Sequence, residues 1–176
     1  MELNSKTKLV ALLLLCLFVV SGCNLAKKQD EQSTNNVSLP HDIPKFVKEK
    51  DFEKINWDKK ITQFDTESRS DMIGNKDKIG FIGTELKANQ VEKWLWHFWG
   101  IDKGEITVIG YNKDTAKITP VFSDAAWTKN GIGGGKINGA DASMTSNVVI
   151  PESGKWALLV YIDHHLFDTL VMDINE

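Results

Sequence analysis

The sequence predicts an all-β fold, a sandwich of about seven short strands, on three observations. Apolar residues recur with a period of two in several segments, and most sharply near the end of the chain. There Trp156, Leu158, Val160 and Ile162 alternate with Ala157, Leu159 and Tyr161. Turn-forming residues punctuate the chain at short intervals, and no long amphipathic helix stands out. The balance of 41% hydrophobic to 26% charged residues in 176 suits a globular domain and excludes wholesale disorder.

The chain opens with Lys6 and Lys8, followed by an unbroken apolar run from Leu9 to Val20. Twelve residues fall short of the roughly 20 that a membrane span needs. They fit the apolar core of a signal peptide. The run ends in Val20-Ser21-Gly22-Cys23, which resembles the bacterial lipobox. That resemblance implies cleavage between Gly22 and Cys23, with a diacylglycerol on the Cys23 thiol. Residues 1–22 are then a lipoprotein signal peptide. Cleavage leaves 154 residues with 19 basic and 23 acidic side chains, a net charge of −4. Cys16 leaves with the signal, so the mature chain has no free thiol for a disulfide or a cysteine nucleophile. Two acyl chains suffice for stable anchoring where one is marginal. The expected location is the extracytoplasmic face of the cell membrane. The first partner is membrane lipid, held through acylated Cys23.

Residues 23–43 read as the lipidated cysteine and a flexible linker, since the stretch from Lys27 to Asn36 is almost wholly polar. The sixteen residues from Asn24 to Leu39, as coil, reach roughly 20–25 Å. Pro40 and Pro44 mark its end, and residues 44–176 form the predicted domain. Phe46, Val47, Phe52, Ile55 and Trp57 fit a helical turn or an extended arm equally well.

Short strands are expected at Lys59–Phe64 and Lys78–Gly83. The segment Gln90–Trp99 is stronger. Lys87, Ala88, Gln90, Glu92 and Lys93 favour helix there, but the aromatics from Trp94 to Trp99 would lie all round a helix, so a strand is the better reading. Ile106–Tyr111 and Ala116–Phe122 flank Asn112-Lys113-Asp114 as a hairpin. Asn147–Ile150 precedes the turn Pro151-Glu152-Ser153-Gly154. The last two strands meet at Asp163-His164, a tight hairpin.

The block Lys93-Trp94-Leu95-Trp96-His97-Phe98-Trp99-Gly100 is distinctive. Together with Gly139-Ala140-Asp141-Ala142, the segment Ile150 to Trp156, and Val160-Tyr161-Ile162-Asp163, it resembles a set of uncharacterised lipoproteins from Gram-positive, spore-forming bacteria. The resemblance spans about Trp94 to Ile174. It implies an immunoglobulin-like β-sandwich at the membrane and supplies no catalytic residue. The chain departs from the usual Asp-Gly hairpin turn of such proteins, because His164 stands in the second place, where a type I′ turn needs positive φ. Either the loop is longer or a site gains from a histidine there.

Candidate sites follow from residue chemistry. His164 and His165, with Asp163 and Asp168 nearby, are weak candidate ligands for zinc, copper or nickel. Adjacent strand residues point to opposite faces, and no His-Glu-x-x-His spacing occurs, so turn residues are the expectation and no metal is assigned. His97 reads as a core histidine bonded to backbone. Of six tryptophans, Trp94, Trp96 and Trp156 are expected in the core, and Trp127, in a polar context, is expected to be exposed. Gly131–Gly139, with five glycines in nine residues, reads as a mobile loop. Trp127, Lys129 and Asp141 flank it as possible ligand-binding residues. Asn130-Gly131-Ile132-Gly133-Gly134-Gly135-Lys136 lacks the Gly and the Ser or Thr of a phosphate loop, and Ser153 sits in a turn, not a nucleophile elbow. No motif calls for a cofactor or for nucleic acid.

The expected function is that of a non-enzymatic, membrane-anchored extracytoplasmic lipoprotein whose immunoglobulin-like module binds an envelope protein or glycan. One alternative is a cell-envelope carbohydrate-binding module using an exposed Trp. Another is a metal-handling protein or enzyme using His97, His164 or His165.

Overall fold

A computed structural model describes residues 37–84 and 86–176. The expected signal peptide, the expected cleavage and lipidation site at Gly22–Cys23, and the first part of the expected linker lie outside the described residues. Among the described residues one short helix, α1 (Glu49–Glu53), is followed by ten strands. These are β1 (Thr62–Phe64), β2 (Met72–Asn75), β3 (Ile79–Ile82), β4 (Glu92–Phe98), β5 (Gly104–Asn112), β6 (Ile118–Pro120), β7 (Thr128–Ile132), β8 (Ala142–Val148), β9 (Gly154–Ile162) and β10 (His165–Ile174).

The strands form two antiparallel sheets, β1-β2-β3-β4-β8 and β10-β9-β5-β6, with β7 also pairing β5. This is the expected β-sandwich, with ten strands where the sequence suggested about seven. Two of the additions carry no alternating signal. Strand β2 reads Met-Ile-Gly-Asn, and β7 reads Thr-Lys-Asn-Gly-Ile, most of it half-buried or exposed. The sheets are stitched at both sides. Gly133 and Ser143 exchange backbone hydrogen bonds of 3.1 and 2.9 Å between the end of β7 and β8. Opposite, the Ile61 amide donates to the Val171 carbonyl at 2.9 Å.

The block around β4 is a strand, as its aromatics require. Trp94, Trp96 and Phe98 point inward and are fully buried, and His97 takes the other face. Phe81 of β3 stacks on Trp94 with ring centres 3.6 Å apart and planes 7° from parallel. The Trp96 indole donates to the Ser146 hydroxyl at 2.8 Å, which satisfies its buried N–H. Trp156 enters the same core from β9, its indole donating to the Glu152 carbonyl.

Strands β5 and β9 pair through seven positions, from Ile106↔Ile162 to Asn112↔Trp156, and both are buried on both faces. Trp156, Leu158, Val160 and Ile162 face the core between the sheets. Ala157, Leu159 and Tyr161 face outward into a second apolar cluster with Ile109 and Tyr111. What covers them is the N-terminal arm. Val37, Ile43, Val47, Phe52 and Ile55 are buried in this cluster, and Leu39, Phe46 and Trp57 pack against it. The packed domain therefore starts at least as early as Val37, ahead of the Pro44 boundary drawn from the sequence. Ahead of Pro44 the three apolar residues Val37, Leu39 and Ile43, set among polar ones, are too few to show a periodicity, yet enough to seat the start of the arm on a ready-made face.

The arm is a series of tight turns around α1. Amides of Ile43, Val47, Asp51 and Ile55 each bond the carbonyl three residues back. Asp51 ties it to the sheet. Its carboxylate accepts the Lys48 amide at 3.3 Å and the Tyr161 hydroxyl at 3.2 Å, and Lys54 lies 3.6 Å away. Burial, then the Asp51 charge, raise the Tyr161 phenol well above the usual tyrosine range. Phe52 is 4% exposed and meets Tyr111 edge-on at 5.1 Å. Phe52→Ala is expected to cost about 3–5 kcal/mol, read as a shifted midpoint in urea unfolding; a change near zero would show that the arm is not part of the cooperative unit.

Candidate functional site

The Gly131–Gly139 segment differs from the mobile loop expected. Gly131 belongs to β7, Ile132 is buried in the core, and Gly133 is bonded to Ser143. Ile137 and Ala140 then exchange two backbone hydrogen bonds, 3.2 and 2.9 Å, around Asn138 and Gly139. Both central residues have positive φ, 50° and 80°. Asn-Gly is the pair that a two-residue I′ hairpin favours, so the ordering signal was present in the sequence within the glycine-rich run. The result is a hairpin tip, residues 134–140. Lys136 projects with its side chain 85% exposed, and Ile137 is 41% exposed.

The tip is fastened to the end of β4 by side chains. The Asn138 amide donates to His97 Nε2 at 2.9 Å. The other ring nitrogen, Nδ1–H, donates to the Leu95 carbonyl at 3.0 Å. A carbonyl can only accept, so Nδ1 carries the proton and Nε2 offers a lone pair. His97 is fully buried, and that burial lowers its pKa below the ordinary histidine value. The Leu95 bond opposes the shift and the charge of Arg69 adds to it. Beside it, the Trp99 indole donates to the Gly139 carbonyl at 2.8 Å. Asp141 Oδ2 accepts the Gly100 amide at 2.8 Å, and Oδ1 lies 3.7 Å from Lys136. The half-buried Trp99 ring also leans on Phe64 of β1, with centres 6.0 Å apart.

The other proposed ligand-binding residues have separate partners. Trp127, expected to be exposed, is half-buried against the arm cluster, and its indole donates to Asp42 at 3.0 Å. Arm and β7 meet there, which the polar flanks of Trp127 gave no means of foreseeing. Lys129 pairs with Asp124 at 2.5 Å and lies over the Phe122 ring. Asp141 alone belongs to the tip.

Asp163 and His164 form the two-residue turn between β9 and β10, with φ of 45° and 69°. The loop is not longer, and His164 accepts the left-handed conformation. Its Nε2 lies 2.7 Å from Glu105 Oε1, and its ring stacks on Phe46 of the arm at 4.5 Å. His165 Nδ1 instead bonds the Asp163 carbonyl at 2.7 Å. The two imidazoles thus serve different partners. Among the described residues, no three His, Cys, Asp or Glu side chains are grouped to hold a metal ion.

A cleft of about 430 Å³ opens between β1 and β10, bordered by Lys60, Gln63, Ile73 and Asp173. Its aromatic floor is sealed, since Trp94 and Phe81 are 0% and 2% exposed. A ligand there would touch chiefly the rim, where Lys60 and Asp173 pair with each other.

Residues 46–172 match the model of a family described as a domain of unknown function, DUF4871. The chain belongs to that family. The DUF4871 match takes in the arm from Phe46 onward, α1, strands β1 to β9 and β10 as far as Met172, while Val37, Leu39 and Ile43 of the arm precede it. The domain is similar in fold to the X-ray crystal structure of a candidate lipoprotein from Bacillus anthracis, with a TM-score of 0.61 and 21% identity. That similarity covers 75% of this chain and 96% of the other. A search of curated proteins gives no significant match.

Order in the DUF4871 tip has a measurable consequence. Gly139→Ala places a side chain at φ 80° with the Thr66 Cβ 3.4 Å away, whereas Gly133→Ala meets nothing within 4 Å. Gly139→Ala should cost about 1 kcal/mol or more and Gly133→Ala much less. Equal, negligible costs in urea unfolding would mean that the tip is a mobile loop after all.

Proposed function

We propose that this protein is a lipid-anchored, extracytoplasmic binding module with no catalytic activity, and that the 134–140 tip is its contact surface for an envelope protein. The observation that carries the anchoring is the apolar run Leu9–Val20 ending at Val20-Ser21-Gly22-Cys23, followed by a polar spacer and then by a packed domain from Val37. The resemblance in fold to the candidate lipoprotein of Bacillus anthracis supports the same reading.

The histidines support a non-catalytic role through what they already do. Both nitrogens of His97 are bonded within the fold, His164 is taken by Glu105 and Phe46, and His165 holds its own turn. Ser153 lies in the Pro151–Gly154 turn, with its carbonyl accepting from Asn112. The tip suits contact because Lys136 offers a charge and Ile137 an apolar side chain on a rigid hairpin. A preorganised surface loses little entropy on binding. The carbohydrate reading centred on Trp127 loses support, since that ring is half-buried and bonded to Asp42.

Two results are expected in cells. Cys23→Ala should leave the protein unprocessed or released to the medium, and absent from the detergent phase as a processed form; a processed Ala variant that still partitions with membranes would refute the anchor. The pair Lys136→Glu and Ile137→Ser should lower partner capture by crosslinking at an unchanged unfolding temperature. Undiminished capture would move the contact surface elsewhere.

A further inference from the structure

We propose that His97 is a proton-gated latch: neutral, it holds the 134–140 tip on the sheet, and protonated, it releases it. The inference concerns the surface named under Proposed function and rests on that reading only for its biological use. The latch is defined by tip order, which is measured without any partner.

The geometry leaves His97 one tautomer. Nδ1–H is committed to the Leu95 carbonyl of its own strand, and Nε2 accepts from Asn138 at the apex of the tip. Protonation puts a second N–H on Nε2, pointing at an amide that is itself donating. Two donors 2.9 Å apart repel, and the ring now carries a buried charge. Asn138 holds one of the two positive-φ positions of the turn, so its displacement disturbs the whole apex.

Few groups could neutralise the new charge. On the neighbouring strands the residues paired with His97 are Gly80 and Ser143, neither of them ionisable. The β1–β2 connection brings Arg69, a like charge. It also bears Asp65, Glu67 and Asp71. Of these, Asp65 takes the Asp71 amide and Asp71 takes Gln63. The tip itself carries Lys136, and Asp141 at its base is held by the Gly100 amide and lies near Lys136. Burial first, with Arg69 in the same direction, keeps His97 neutral at pH 7.

The sign follows. A histidine whose folded pKa lies below its unfolded value stabilises the latched state fully above the ordinary histidine pKa. That contribution is lost as pH falls from there towards the lower, folded value. The Trp99 indole bond to the Gly139 carbonyl involves no titratable group, so it remains as a fastening when His97 is protonated.

The test uses the ¹⁵N-labelled full chain in detergent micelles, followed from pH 7.5 to 4.5. The His97 ring nitrogens report its protonation, and heteronuclear NOEs of residues 134–140 report order. The expected result is a loss of tip NOE with the same midpoint as His97, while the amides of β5 and β9 stay unchanged. His97→Gln should flatten the pH dependence. Because a buried substitution can impair folding, Asn138→Gly provides a second arm. It keeps the left-handed turn, drops the amide, and should leave the tip mobile at both ends of the range. A tip that stays ordered while His97 titrates, as when the Asn138 amide simply turns its oxygen to the ring, overturns the proposal. So does a His97 that never protonates in this range, or a loss of order shared by the whole domain.

Discussion

The structure depends on the two-sided burial of the β5–β9 pair. Strand β9 carries large apolar residues in both phases of its pleat, and β5 does so over most of its length. A sandwich alone covers only the inner phase. The outer phase would leave Leu159, Tyr161, Ile109 and Tyr111 in water, so a third layer has to be supplied. The chain supplies it from its own N-terminus. The Asp51–Tyr161 hydrogen bond sets the place at which that layer lies, since a buried carboxylate and a buried phenol each need the other.

This constraint organises the rest. With the outer face of one sheet occupied by the arm, Trp127 and His164 are drawn into holding it, through Asp42 and Phe46 respectively. Among the described residues the opposite sheet has no such layer, and its outward side is met by the β7–β8 tip and the β1–β2 connection, where Gly139 comes close to Thr66. The two sides of the sandwich are thus fastened differently. One is sealed chiefly by apolar burial, with the Asp51–Tyr161 bond and His164 among its polar ties. The other is pinned at its apex by a hydrogen bond to a histidine, the side chain whose ordinary pKa lies nearest neutrality.

The 134–140 tip was partly legible. The glycine-rich run and Asp141 belong to it, and Asn138-Gly139 held a hairpin signal that the surrounding glycines masked. His97 read correctly as a core histidine bonded to backbone, through Leu95. Its second partner was not legible, because Asn138 lies 41 residues away and is brought to it only by the pairing of β4 with β8. Trp127 failed as an exposed residue for a related reason. Local polarity tells what flanks a side chain in the chain, not what a distant segment lays over it.

The sequence by itself determined the strand character of β4, β5, β9 and β10, the inward set of tryptophans, and the hairpin at Asp163-His164. In each case the cause is local: alternation about the pleat, or the φ demands of a two-residue turn. It also determined the apolar run and cysteine that point to a lipid anchor. Tertiary structure alone decided where the arm lies, that β2 and β7 are strands, and which residues meet at the tip. Short strands without alternation form because a neighbour offers free backbone groups, and an arm with scattered apolar residues docks because a face already exists to receive it.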